Sequence, residues 1–248
     1  MILNQDKIKN WLVLFFAELL GTGILVFIGC LSCVDQFEHF HPTHLTICLA
    51  FGLSVMIAIN CFGCVSGAHI NPVVTLTAII YKLVDIPTAI IYVIGQMIGA
   101  LLGYWLVRLS IIDELISDPK GFCVSHPGLD VGRSFVVEFM ITFMLIFVVC
   151  GVWDPRNKNH HDSAPLRFGL AVAILAFIGG PFGGGSMNPA RSFAPAIYNW
   201  NWDYHWIYWV APTSASLVAS FIFRYGFHKD PEKTNSLVDN EVKSKEDA

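Results

Sequence analysis

The chain has 248 residues, of which 54% are hydrophobic and only 14% are charged, against roughly 25% charged residues in a typical soluble domain. The formal net charge is −4, and no basic patch favours a nucleic-acid partner. Charged residues concentrate near the two ends and in short connectors. The apolar stretches between them are long enough to cross a hydrocarbon core of about 30 Å, so we expect an integral membrane protein.

Six apolar stretches are predicted to span the membrane as helices, at residues 11–34, 45–63, 86–109, 134–153, 166–180 and 206–227. The first is too long for the core of a signal peptide, and we interpret it as a retained helix. Two further stretches, 72–81 and 189–198, begin with proline and are too short to cross the membrane at about 1.5 Å per residue. The predicted fold class is an all-α membrane protein with six transmembrane helices plus two half-helices.

The two halves of the chain resemble each other at matching spacings. Phe51 precedes Asn71 by 20 residues, and Phe168 precedes Asn188 by the same 20. Each half holds three predicted spans, so the second half would enter the membrane in the opposite orientation. The pattern indicates an inverted 3+3 repeat, an arrangement that places a pathway at the interface of the repeats near the middle of the membrane.

The predicted organisation is one channel domain at residues 1–228, with repeats at about 10–110 and 130–228, followed by a disordered cytoplasmic tail at 229–248. The tail is charged and lacks aromatic residues, which is typical of disorder. Eleven of the fifteen lysines and arginines lie on the side that holds both termini. The positive-inside rule therefore predicts cytoplasmic N- and C-termini, and we expect the plasma membrane to be the location.

Asn71-Pro72 and Asn188-Pro189 open the two half-helices. Non-helical backbone at membrane depth is tolerated only where protein buries it or a water-filled cavity borders it. The positive ends of both helix dipoles would point at the centre, and each asparagine amide can donate to a permeant oxygen. A lone Asn-Pro pair is a turn signal, but two in register predict a pore that interrupts hydrogen bonding between permeants and repels protons and cations.

Seven cysteines include two pairs with CxxC spacing, Cys30/Cys33 and Cys61/Cys64. A zinc site needs four ligands, and no further histidine or cysteine cluster lies near either pair. The number of cysteines is odd, and most lie at membrane depth. We interpret them as small buried apolar residues, with neither a metal site nor a disulfide framework.

These motifs resemble those of the aquaporin, or major intrinsic protein, family. Residues 66–73 resemble its first signature and residues 188–192 its second, and the resemblance runs from about residue 10 to 227. It implies a homotetramer with one pore per subunit, no cofactor, and pore-centre motifs at Asn71, Pro72, Val73, Asn188, Pro189 and Ala190. Val73 stands where the family usually has alanine, which leaves the width at the midpoint of the pore open.

The resemblance also implies a selectivity filter formed by Phe51, Ala176, Gly185 and Arg191. Water-selective members usually have histidine at the position of Ala176, so its absence implies a wider and less polar opening. The side chain of Phe177 or Phe182 could still swing in and refill that space.

Other positions match the water-channel pattern instead, namely Ser192, Ala196, Tyr208 and Trp209. The sequence thus combines the scaffold of a water channel with the filter of a solute channel. In this combination it is similar to the insect glycerol-transporting aquaporins called entomoglyceroporins.

Three polar residues are predicted within the membrane away from the filter. Glu18 and Glu138 are either members of a proton relay or hydrogen-bond acceptors that brace the half-helix loops, and the resemblance implies bracing. Gln96 could brace a loop in the same way or line a contact between helices. His69 is expected in the cytoplasmic vestibule, as a structural residue or as a pH-sensitive element.

The leading hypothesis is a passive channel for glycerol and other small uncharged solutes, such as urea and polyols, together with water, that excludes protons and ions. The alternatives are a strictly water-selective channel, a proton-coupled transporter, and an adhesion or scaffold protein. No nucleotide motif or nucleophile–base arrangement indicates an enzyme. The expected partners are small neutral solutes, water and the lipid bilayer.

Overall fold

The computed structural model describes residues 5–34, 41–116 and 118–228, and the predicted tail at 229–248 lies outside them. Within these ranges the chain forms helices and no strand. The α-helices are α1 Gln5–Leu31, α2 His44–Ser66, α3 Pro72–Ile80, α4 Ile86–Ser110, α5 Val131–Trp153, α6 Ala164–Gly183, α7 Pro189–Tyr198 and α8 Ile207–Gly226. Short 3-10 segments cover Asp113–Leu115 and Pro155–Ser163.

Each predicted span coincides with one long helix, and the two short predicted stretches are α3 and α7. In the described ranges, five helical stretches are long and apolar enough to cross a membrane, and α8 is not among them. Its polar residues face the protein: Ser216 Oγ donates to the Val73 carbonyl at 2.9 Å, and Ser220 Oγ donates to Thr77 Oγ1 at 3.1 Å. The lower hydropathy of α8 therefore reflects polar contacts with α3, which is the usual role of such residues between membrane helices.

Glycines allow α4 to lie close against α1. A Cβ atom added at Gly99 would collide with the carbonyl oxygen of Leu19, and one at Gly103 would collide with that of Gly23. Small residues at helix crossings permit such close backbone approach in a membrane, where lipid is as apolar as the helix surface. The first and third spans of the first half are thereby held together.

Apolar side chains cover much of the outer face of the helices, and three strongly polar side chains lie inside. Glu18, Gln96 and Glu138 are completely buried. Large apolar side chains are exposed along the helices, including Leu12, Phe16, Ile90, Ile94, Met144 and Ile174. This inversion of the soluble pattern is the expected arrangement of a protein whose helices face lipid.

Candidate pore and selectivity filter

The starts of the two half-helices meet and hold each other reciprocally. Asn71 Nδ2 donates to the carbonyl oxygen of Met187 at 2.9 Å, and Asn188 Nδ2 donates to that of Ile70 at 2.9 Å. The side-chain oxygens of the same asparagines cap α3 and α7 by accepting from backbone N–H groups. Each amide nitrogen carries two hydrogens, so one remains for a permeant oxygen.

The two carbonyl groups that receive these bonds belong to residues with left-handed backbone. The φ angle is 47° at Ile70 and 51° at Met187, a conformation that costs a non-glycine residue about 1–3 kcal/mol. Ile70 N donates to Glu18 Oε2 at 2.7 Å, and Met187 N donates to Glu138 Oε2 at 3.1 Å. The two glutamates therefore stabilise the strained residues that orient the asparagines.

The other contacts of the glutamates have the same character. Glu18 Oε1 accepts from His69 N at 2.9 Å, and Glu138 Oε1 accepts from Ser186 N at 2.9 Å. Ser66 Oγ and Gln96 Nε2 also donate to Glu18, at 2.6 and 2.7 Å. Each carboxylate bonds to groups of its own half of the repeat, which is the geometry of bracing.

Several of the predicted site residues come together around one cavity, where about 740 Å³ of space, part of it open to solvent, is not filled by protein atoms. Asn71, Asn188 and His69 line it together with the four residues predicted to form the filter, Phe51, Ala176, Gly185 and Arg191. Much of the remaining wall is apolar, and sequence analysis did not single it out; it includes Leu25, Val55, Ile59, Val74, Leu145, Val149, Phe168 and Val172. The cavity thus combines an apolar wall with a few donors.

Arg191 is held in place by a loop that sequence analysis missed. Its guanidinium carbon lies 4.7 Å from the centre of the Phe51 ring. Its Nη1 donates to the carbonyl oxygen of Cys123 at 2.8 Å and to Ser125 Oγ at 2.9 Å. The loop between α4 and α5 has no hydrophobic periodicity, so only a three-dimensional arrangement could reveal this role.

The space beside Ala176 is not refilled by a neighbouring aromatic ring. Phe177 is 41% exposed and stacks on His44 with ring centres 5.4 Å apart, while Phe182 is 48% exposed. Neither contributes to the wall of the cavity. In this structure the methyl group of Ala176 forms that part of the lining.

The unusual Val73 points away from the pore. Its exposed fraction is 1%, and it packs in an apolar cluster with Ile146, Val149 and Ala219. Ala190, at the matching position of the second motif, is also completely buried. Pro72 and Pro189 occupy the first turns of α3 and α7. The side chain of Val73 therefore fills the core and is not among the residues that line the cavity.

His69 lies at the end of the cavity where α5 ends. It is 6% exposed, its Nδ1 lies 3.2 Å from Thr75 Oγ1, and its ring contacts those of Tyr92 and Trp153 at 4.9 and 5.5 Å between centres. Gln96 Nε2 also donates to Thr75 Oγ1, at 3.0 Å. His69 is thus tied to the braced loop while it lines the cavity. Over the described residues, no group of three or more His, Cys, Asp or Glu side chains is placed to hold a metal ion.

A cavity between two opposed half-helices, inside a bundle of long apolar helices, defines a membrane channel. A profile of the major intrinsic protein family matches residues 6–223. The chain belongs to this family, whose members are channels for water and small solutes.

Individual relatives agree with this assignment. Aquaporin-4 of Mus musculus is 35% identical over 224 residues, which are 89% of this chain and 69% of the relative. A probable aquaporin of Arabidopsis thaliana, TIP3-2, is 36% identical over 90% of this chain and 85% of its own length. The X-ray structure of the aquaglyceroporin from Plasmodium falciparum superposes with a TM-score of 0.73 at 25% identity, covering 86% of this chain and 95% of that one.

Proposed function

We propose that this channel conducts glycerol and other small uncharged solutes, such as urea and polyols, together with water, and excludes protons and ions. The observation that carries the proposal is Ala176, a methyl group lining the same cavity as Phe51, Gly185 and Arg191. We assign the filter to these four residues.

The chemistry of glycerol fits this lining. Its carbon backbone needs an apolar wall, which the Phe51 ring and the Ala176 methyl supply, and its hydroxyls need hydrogen-bond donors. Arg191 bonds to the loop through Nη1, and a guanidinium has five N–H donors in all, so others remain for a solute. Gly185 lies close to the backbone of α6: a Cβ there would lie 3.0 Å from the Gly180 Cα atom and 3.5 Å from the Ala176 carbonyl oxygen.

A strictly water-selective channel is the second candidate. It is favoured by the likeness to aquaporin-4 and by the buried scaffold residues Ser192, Ala196 and Tyr208, which match the water-channel pattern. We give more weight to the chemistry of the filter residues than to the likeness of the scaffold, because the narrowest point of a pore determines which molecules pass.

The substitution Ala176→His separates the two candidates. An imidazole would narrow the opening and add a donor that suits water, so we expect glycerol and urea permeability to fall strongly while water permeability persists. The free-energy penalty for forcing a solute through a rigid constriction exceeds the roughly 1–3 kcal/mol by which one methylene changes binding in a pocket. The measurement is stopped-flow light scattering of proteoliposomes, with Ala176→Gly as the matched control that retains glycerol permeability.

A parent protein that conducts water but no glycerol would contradict the solute-channel proposal, and so would undiminished glycerol flux in Ala176→His. Loss of both fluxes together with a loss of folded protein would instead indicate misfolding. Size-exclusion profiles of both variants are therefore part of the experiment.

The remaining roles and arrangements belong to the same proposal. Asn71 and Asn188 orient permeants at the centre of the pore. The half-helix loops are braced by Glu18, Glu138 and Gln96. His69 lines the cytoplasmic vestibule. The channel domain covers 1–228, the chain assembles as a homotetramer in the plasma membrane with both termini in the cytoplasm, and no enzymatic activity is involved. Chemical cross-linking and protease accessibility of the tail at 229–248 in intact cells test assembly and orientation.

A further inference from the structure

Two thiols meet where the end of α1 touches the loop between α4 and α5. Cys123 Sγ lies 3.3 Å from Cys33 Sγ, and both residues are free cysteines of intermediate burial. Cys30, one turn earlier in α1, is completely buried in the same apolar cluster. The CxxC spacing of residues 30–33 therefore gains a third cysteine from a loop 90 residues further along the chain.

The other cysteines of the described ranges lie elsewhere. Cys61 and Cys64 are exposed on α2, and Cys48 and Cys150 are buried in separate places. Cys33 and Cys123 thus have adjacent sulfur atoms, and neither residue is fully buried.

The backbone of Cys123 is part of the support of the filter. Its carbonyl oxygen accepts the 2.8 Å bond from Arg191 Nη1, and its φ angle is 59°, a left-handed conformation that the surroundings must maintain. The preceding carbonyl, of Phe122, accepts from Tyr104 Oη at 3.0 Å and from Asn199 Nδ2 at 2.9 Å. The Cys123 sulfur and the carbonyl oxygen that positions Arg191 therefore belong to the same residue.

We propose that Cys33 and Cys123 form an oxidation site, in which a peroxide converts the two thiols into a disulfide that links α1 to the loop holding Arg191. The inference rests on the proposed orientation, which places this end of α1 on the extracellular side, where disulfides persist, and on the proposed filter role of Arg191. It gives the channel an oxidant-responsive element at the entrance to its filter.

The chemistry balances with hydrogen peroxide as the oxidant. One thiolate attacks a peroxide oxygen, the O–O bond breaks, and hydroxide leaves with a proton as water, giving a sulfenic acid. The second thiolate attacks that sulfur, an S–S bond forms, the S–O bond breaks, and a second water leaves. In total the two cysteines lose two protons and two electrons, and the peroxide takes up both to become two waters.

The disulfide requires a movement that reaches the filter. The sulfur atoms must approach from 3.3 Å to the roughly 2.05 Å of a disulfide bond. Since the Cys123 carbonyl holds Arg191, this pull displaces one of the two groups that fix the guanidinium beside Phe51. We expect oxidation to lower the permeability of the channel to glycerol and to shift its ratio to water permeability.

The test is made on the full-length protein in proteoliposomes treated with hydrogen peroxide, then quenched with a thiol-alkylating reagent. Digestion and mass spectrometry are expected to find a peptide linking Cys33 to Cys123, lighter by two hydrogens than the two reduced peptides. Stopped-flow scattering of the same vesicles is expected to show reduced glycerol permeability that dithiothreitol restores.

Cys33→Ser is expected to keep the basal permeability and to lose both the linked peptide and the response to peroxide. Cys123→Ser, which retains the backbone carbonyl that holds Arg191, gives a second test of the link should the first variant fold poorly. Cys64→Ser, which removes an exposed thiol on α2, is the control that keeps the full response.

Absence of the linked peptide in the parent would overturn the proposal, and so would a link that leaves both permeabilities unchanged. The peptide measurement needs no transport, and water permeability gives a second flux. A failure of the glycerol proposal is thereby distinguished from a failure of the oxidation site.

Discussion

Each asparagine that opens a half-helix lines the cavity and donates one amide hydrogen to the opposite half of the molecule, and in the proposed function its second amide hydrogen serves permeants. Asn188 Nδ2 bonds to the Ile70 carbonyl, and Asn71 Nδ2 bonds to that of Met187. A residue that keeps the shape but loses the donor removes both functions at once.

We therefore predict that Asn71→Asp or Asn188→Asp abolishes solute conduction or admits cations. The new carboxylate would face a carbonyl oxygen, leaving a buried group without its partner at a cost of about 1–3 kcal/mol, and more when charged. It would also neutralise the positive half-helix ends that repel cations. Proteoliposome flux and planar-bilayer current measure the two outcomes. Asn201→Asp, at an exposed loop amide that donates to the Lys120 carbonyl, is the control, and normal flux without current in both pore variants would contradict the assigned role.

A substitution at Val73, unlike those at the asparagines, is expected to leave permeation unchanged. Because its side chain packs among Ile146, Val149 and Ala219, Val73→Ala restores the usual family motif without changing the lining of the pore. We expect unchanged water and glycerol permeability and a loss of about 1–3 kcal/mol in stability from the cavity left behind. Thermal unfolding followed by size-exclusion chromatography measures the stability. A change in the ratio of water to glycerol permeability would contradict the orientation of Val73 away from the pore.

At the scale of elements, the half-helix loops depend on an acceptor geometry that only a carboxylate provides. Each oxygen of Glu18 accepts one backbone N–H, from His69 and from Ile70. Each oxygen of Glu138 does the same for Ser186 and Met187. An amide offers one oxygen and one donor, so either orientation leaves one backbone N–H facing another donor.

We predict that Glu18→Gln and Glu138→Gln each reduce folded yield and thermal stability by about 1–3 kcal/mol, the cost of one unsatisfied buried group. The readouts are the monodisperse fraction after solubilisation and the midpoint of thermal unfolding. Glu114→Gln, at an exposed position of the connection between α4 and α5, is the matched control. Wild-type stability in both buried variants would refute the bracing role.

The lengths of the apolar stretches and the positions of the prolines were enough to predict the helices. They were not enough to predict which residues line the cavity or contact the filter. The half-helices were placed to within a residue because Pro72 and Pro189 mark their starts. The wall residues Val55 and Val172 were not recognised, since hydropathy gives the same value to a pore-facing valine as to a lipid-facing one. The loop carrying Cys123 has no periodic pattern, so its contact with Arg191 follows only from packing.

At the scale of the whole molecule, the inverted repeat builds a symmetric centre from two unlike sequences. Ser186 and Met187 occupy the places of His69 and Ile70, and the backbone donors to the glutamates are the same. The symmetry lies in backbone conformation and hydrogen bonding, and side chains are free to differ between the two sides. The proposed filter depends on this difference, because Arg191 belongs to the second half only.

The same arrangement predicts passive transport rather than proton coupling. Both oxygens of Glu18 and of Glu138 are bound to backbone N–H groups of their own half, and both residues are completely buried. Protonation would weaken the bond to the oxygen that takes the proton, so a cycle of proton loading and release would disturb the loop that the carboxylate braces. We expect the rate of glycerol uptake into proteoliposomes to be unaffected by an inward proton gradient, and the internal concentration to level off at the external one. Radiolabelled glycerol uptake with and without a protonophore measures this, with protein-free liposomes as the control. Accumulation above the external concentration that the protonophore abolishes would establish coupling and disprove a passive channel.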